Sequence, residues 1–127
     1  TDRSRGLGDV YKRQVYNEAF SELDVDLVLS GHDHLYARTY LMKGMKSTGN
    51  ASGLKKQGET LYLSGTSSTG SKFYEKESGK KGYIAFYDGE TEKTPLISAI
   101  TIQGKTLTIK TVRTTDMSVF DEITIRK

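Results

Sequence analysis

The sequence has no cysteine, a single proline and only two histidines. The missing cysteine excludes a disulfide framework and any thiolate metal site, and it leaves the redox compartment open. Hydrophobic residues make up 35% of the chain, on the low side for a well-buried core, and charged residues 28%. At 127 residues, this composition suits one folded domain better than a disordered chain. No apolar run approaches the ~20 residues that span a bilayer, so a membrane is not an expected partner. The start, TDRSRGLGDVYKRQ, has charge but no apolar segment after it, and no signal peptide is read there. A strong excess of one charge is also lacking. The formal net charge is +3, and much of the excess lies in residues 1–14, where Arg3, Arg5, Lys12 and Arg13 outnumber Asp2 and Asp9. The rest is nearly balanced, with no basic stripe interleaved with aromatics, which argues against a nucleic-acid partner.

Residues 1–14 have no periodicity that continues into residue 15 and beyond. The whole stretch resembles the translation of sequencing-adapter read-through, so it is set outside the fold. The alternative is a natural polar arm. On the first reading the true protein extends upstream, and its N-terminal part is missing.

From Val15 onward the chain reads as a helix, a buried strand and then mostly antiparallel strands. VYNEAFSEL (15–23) places Tyr16, Phe20 and Leu23 on one helical face. VDLVLSG (25–31) is short, apolar and bounded by Gly31, as a buried strand is. Helix, link and strand make half of an α/β unit. Residues 43–59, rich in Gly, Ser and Lys, read as loop. Asn50-Ala51-Ser52 within them matches a glycosylation acceptor, a pattern too common by chance to carry weight. Strands are expected at the start of 59–74, over 81–90 and in 118–127. PLISAITIQGKTLTIKTVR (95–113) reads as a hairpin turning at Gln103-Gly104-Lys105.

Both histidines come directly after the buried strand, as Gly31-His32-Asp33-His34. A loop at the carboxyl end of a strand is where open α/β sheets place their sites. In an extended segment His32 and His34 project to one side, suited to one metal or to two metals ~3.5–4 Å apart. Asp33 points away and suits an outer-shell or surface role. The plain alternative is a solvated or hydrogen-bonded pair in a turn. In favour of a metal are Gly31, which permits a tight turn, and the rigid apolar strand beneath.

VDLVLSGHDHLYARTY resembles the last metal-binding motif of the calcineurin-like metallophosphoesterases, Gly-His-x-His. It is most similar to the bacterial branch related to purple acid phosphatases, where a Tyr and an Arg come after the motif, here Tyr36 and Arg38. That branch usually has Glu before the Arg, where this chain has Ala37. TLYLSGTSSTGSKFYE, GYIAFYDG and TLTIKTVR…VFDEITIRK resemble the segments that come next in the same branch. The resemblance covers about residues 15–127 and implies the C-terminal portion of a two-sheet α/β sandwich. It also implies a binuclear centre of Fe, Zn or Mn, with His32 on one ion and His34 on the other. Such a centre hydrolyses phosphate esters: the metals polarise phosphoryl oxygens and supply a bound hydroxide that attacks in line. The other ligands of the family (an Asp-x-His, a Gly-Asp, a Gly-Asn-His and another His) are absent here, so the fragment alone is expected to be inactive. Relatives of this branch are often secreted, which implies a secreted or cell-surface location.

Other features have plainer readings. The loop SGTSSTGSK (64–72) is glycine-rich and ends in Lys72, but it does not fit a phosphate-binding P-loop. Arg38 is a candidate for substrate phosphate, set against an ion pair that braces the turn. Tyr36, Tyr40, Tyr62, Tyr83 and Tyr87 read as core or half-buried strand residues. Asp121-Glu122 reads as a solvated pair. Two further functions stand as alternatives: a non-catalytic β-rich binding or adhesion module, and a single-metal hydrolase or dioxygenase. The second lacks a further ligand cluster. If upstream strands are missing, the strand 25–30 has an open edge, and poor solubility is expected of the chain alone.

Overall fold

Helix α1 (14–22) hands the chain to β1 (Leu27–Ser30) through a cap centred on Asp24. The amide of Val25 donates to Phe20 O at 2.9 Å and that of Asp24 to Ser21 O at 3.1 Å, the paired bonds of a Schellman motif. This motif needs a left-handed residue, and Asp24 sits at φ 54° where glycine is usual. Its carboxylate offsets the strain by accepting from Lys55 Nζ at 2.6 Å and from Gly58 N at 2.8 Å. The computed structural model describes residues 14–31, 35–66, 68, 82–88 and 94–127.

The rest of the described chain forms two sheets. The strands of the first are β1, β2 (Tyr36–Thr39), β3 (Met42–Lys43), β4 (Lys46–Ser47), β6 (Glu59–Ser64) and β7 (Ile84–Asp88). β1 lies parallel to β6, with Leu27 opposite Leu61 and Ser30 opposite Ser64. The other edge of β6 carries β2 and then β3, both antiparallel. Arg38 pairs with Leu63 and Met42 with Thr60, so the β2–β3 segment holds one residue more than its partner. This is a bulge. Thr39 Oγ1 covers the break, accepting from Tyr62 N at 3.1 Å. Beyond it the chain changes neighbours, from β7 beside β2 to β4 beside β3.

The second sheet runs β5 (Gly53–Leu54), β10 (Val119–Arg126), β9 (Thr106–Arg113), β8 (Leu96–Gln103). The hairpin β8–β9 is the one expected. Gly104, at φ 60°, takes the first central position of a two-residue loop, as a type II′ turn requires. Ile100 lies opposite Ile109, and Ile102 opposite Leu107.

The core lies between the sheets. Tyr36, Leu41, Leu61 and Leu63 from the first meet Leu96, Ile109, Ile123 and Ile125 from the second. A two-sheet, strand-rich architecture with one described helix at its start matches the expected fold in outline. Two expectations are corrected. Residues 43–59 are not all loop, since β3, β4 and β5 use them. The strand at 27–30, read as buried, is half-buried to exposed, and among the described residues its outer edge is open. The helical stripe is also weaker than its spacing suggests. Phe20 packs on Tyr62, with ring centroids 6.4 Å apart, while Tyr16 and Leu23 are exposed.

A charged cluster fastens α1 and β1 to the second sheet. The Lys55 ammonium is buried, 2.6 Å from Asp24 and 2.9 Å from Asp26, and Lys127 reaches Asp26 at 3.0 Å. Lys55 N also donates to Arg126 O at 2.6 Å. Two acids around one buried cation leave it compensated.

Candidate functional site

The segment expected to carry the chemistry joins β1 to β2. Both of its ends are held by the tip of β6. Ser64 is in register with Ser30 on one side and with Ala37 on the other, and Gly65 N donates to Ser30 O at 3.0 Å. Ser30 and Ala37, which flank the segment, therefore both lie beside the carboxyl end of β6, where sites in open α/β sheets gather. His32, Asp33 and His34 lie outside the described residues. So do Lys72 and most of the glycine-rich loop. Gly31 has no positive φ, and among the described residues a Cβ there would meet nothing within 4 Å.

Immediately after this segment, the side chains of β2 build a buried polar network. The Tyr36 hydroxyl donates to Asp121 Oδ2 at 2.7 Å. Arg38 donates through Nε to the same oxygen at 2.8 Å and through Nη2 to Oδ1 at 3.1 Å. Nη1 reaches Ala51 O at 3.4 Å. Side-chain exposure is 10% for Arg38 and 8% for Asp121, so this is a two-pronged ion pair between the sheets. Thr111 Oγ1 lies 3.3 Å from the Tyr36 hydroxyl and 2.7 Å from Ser98 Oγ. Tyr36, Phe86 and Phe120 pack edge to face around it. Burial, above all, pushes the Tyr36 hydroxyl far above its ordinary pKa, with the Asp121 charge adding to the shift. It therefore remains a donor.

Arg38 thus stands in the bracing role weighed for it, with its guanidinium turned to Asp121. The partner is 83 residues away rather than within the turn. Asp121 is not a solvated acid. A bulge between Val119 and Asp121 lets Phe120 and Asp121 both face the other sheet, while Glu122 turns to solvent. Reading Asp121-Glu122 as an adjacent solvated pair hid this inward-facing carboxylate from sequence reasoning. The signal that could have found it is an acid in a strand whose other core-facing residues, Ile123 and Ile125, are aliphatic.

The other face of β6 carries two buried hydroxyl atoms, Tyr62 OH and Ser64 Oγ, that have no hydrogen-bond partner among the described residues. Burial raises the Tyr62 hydroxyl to about 12. Among the described residues no three His, Asp or Glu side chains converge as a metal site would require. The described residues therefore do not make a metal cage by themselves. Among them no helix is long and apolar enough to cross a membrane.

The fold is similar to part of a purple acid phosphatase. One match is to the purple acid phosphatase PPD1 from yellow lupin (Lupinus luteus) seeds, with a TM-score of 0.71 and 19% sequence identity. It covers 87% of this chain and 19% of that one, so the chain spans about a fifth of the phosphatase. At this identity the likeness concerns the fold. No family model matches the sequence, and no curated protein does.

Proposed function

We propose that the chain is the C-terminal portion of a metal-dependent phosphoesterase that hydrolyses phosphate monoesters. His32 and His34 each provide one ligand to a pair of Fe, Zn or Mn ions, and the remaining ligands come from outside residues 15–127. The observation that carries this reading is the coincidence of two independent features. The fold resembles that of a purple acid phosphatase. The only two imidazoles of the chain come, in the order Gly-His-x-His, in the sequence between Ser30 and Ala37, which both pair with Ser64 at the carboxyl end of β6.

The protein's own described residues have a supporting part in this reading. β6 holds both ends of the histidine connection, and Asp121 holds Tyr36 and Arg38 just after it. The chain alone supplies too few donors, so no catalytic step is assigned to it. Its expected behaviour is weak zinc binding by equilibrium dialysis, reduced by His32→Ala and by His34→Ala, with no turnover of p-nitrophenyl phosphate. Metal-dependent turnover by the 127-residue chain, sensitive to His32→Ala, contradicts the inactivity. The parent activity is tested on the gene. An Asp-x-His and a Gly-Asn-His encoded upstream of Val15 support it, and an upstream frame without acid- and histidine-bearing loops refutes it. A secreted or cell-surface location belongs to the same proposal.

A further inference from the structure

The end of the second sheet where β8 turns into β9 gathers cations from three parts of the chain. Lys105 sits in the hairpin turn, and its carbonyl accepts from Lys127 N at 3.0 Å. Arg126 pairs with Thr106 on one side and with Leu54 on the other. Its carbonyl accepts from Lys55 N at 2.6 Å, which brings Lys56 to the same end. The acids that meet this group are already engaged. Asp24 and Asp26 surround the buried Lys55 ammonium, Asp26 also holds Lys127 at 3.0 Å, and Glu59 is buried. Lys56, Lys105 and Arg126 are exposed, and none has a carboxylate partner among the described residues. Two large aliphatics stand in water beside them. Leu54, in register with Arg126, is 61% exposed, and Ile102, just before the hairpin turn, is 71% exposed. Composition conceals this end, because it is drawn from residues 54–56, 102–105 and 126–127.

We infer that this end of the protein docks on an anionic lipid surface, with Lys56, Lys105 and Arg126 at the headgroups and Leu54 and Ile102 among them. The lack of a spanning segment set a membrane aside, but a protein that lies on a bilayer needs none. The negative potential of such a surface attracts the unpaired cations, and the aliphatic side chains beside them gain by leaving water. A nucleic acid fits less well, since these stretches contain no aromatic on which a base could stack. The orientation is workable. β1 starts just after Asp26, which contacts Lys127 at this end, and runs parallel to β6 toward Ser30. Ser30, Ala37 and Ser64 therefore lie at the opposite end, which docking leaves facing away from the lipid. The inference rests neither on metal binding nor on the phosphatase reading.

Vesicle flotation tests this with the 127-residue chain, because lipid-bound protein rises while aggregated protein sinks. The chain is expected to float with vesicles of phosphatidylcholine and phosphatidylglycerol, and to stay down with phosphatidylcholine alone. Raised salt is expected to release it. Lys56→Gln/Lys105→Gln removes two cations, each contributing about fivefold near a charged surface, so lipid affinity is expected to fall roughly tenfold or more. Ile102→Ser is expected to weaken flotation with the charge unchanged. Each of these side chains is exposed, so the variants are expected to fold. Lys110→Gln removes a cation from the middle of β9, away from this end, and is expected to leave flotation unchanged. No flotation, equal flotation with neutral vesicles, or a Lys110→Gln loss as large as that of the double variant overturns the inference. So does flotation that the double variant leaves intact, which places the attraction elsewhere, as in Arg3, Arg5, Lys12 and Arg13. Binding of duplex DNA without flotation assigns this end to a nucleic acid and overturns it as well.

Discussion

Removing the Asp121 carboxylate should expose how much of the fold rests on one ion pair. Asp121→Ala deletes three hydrogen bonds, two from Arg38 and one from Tyr36. Among the described residues the guanidinium then keeps its 3.4 Å contact to Ala51 O and its place over the Phe86 ring, 5.8 Å from the centroid, in a site where its side chain is 10% exposed. Leaving one member of a buried pair uncompensated costs ~3–5 kcal/mol, and little discount for screening applies at this burial. A domain of this size holds ~5–15 kcal/mol in all, so the change consumes a large part of it. At ~3–5 °C per kcal/mol the melting temperature should fall by roughly 10–20 °C. Calorimetry and urea titration measure this directly. Arg38→Met should cost a similar amount, because it strands the carboxylate. The double variant Arg38→Met/Asp121→Leu should lose less than the two single losses added together, since neither charge is then buried alone. Losses under ~1 kcal/mol in both single variants, or losses that simply add, would refute a buried, coupled pair.

The charged cluster predicts an acid dependence. The Lys55 ammonium, and after it the Gly58 amide, holds the Asp24 carboxyl below its ordinary value, so this contribution is complete above the unfolded pKa of ~3.9. It is lost as pH falls through the lower folded value, and Asp24→Asn should flatten that part of a melting-temperature profile between about pH 5 and 2. For Lys55, burial pulls the pKa down, but hydrogen bonds to Asp24 and Asp26 outweigh it and raise the folded value. Its contribution is present below ~10.4 and lost as pH rises through the folded pKa, and Lys55→Met should remove that alkaline loss in the same melts. Leu61→Ala, in the centre of the core, should cost ~2–5 kcal/mol by urea denaturation. Gly104→Ala forces a side chain into φ 60° and should cost about 1 kcal/mol, with the same core and an unchanged m-value.

The elements most legible from sequence were those whose pattern is local. The hairpin over 95–113 combines two alternating runs with a glycine turn, and the structure closes it at Gly104. Helix α1 and the strands at 59–64, 84–88 and 119–126 likewise fall where their periodicity placed them. The short strands β3, β4 and β5 were illegible because two residues have no period. Their pairing is set by partners elsewhere, Met42 by Thr60 and Gly53 by Ile125. Long-range register also decided the polar residues, and here the physical lesson is sharper. Arg38 and Asp121 are 83 residues apart, and each read alone looks like a surface charge or a site residue. They become an internal brace because Asp121 shares the core-facing side of β10 with Ile123 and Ile125, and a bulge between Val119 and Asp121 brings Phe120 to the same side. That long-range pairing leaves no mark in composition, yet it fixes the strand that leaves the histidine segment against the sheet opposite. A site built on Gly31-His32-Asp33-His34 would therefore depend for its rigidity on a residue near the far end of the chain. Conversely, loosening the Arg38–Asp121 brace should raise hydrogen exchange at the amides of β2 more than at those of β9, a difference that a uniform loss of stability does not produce.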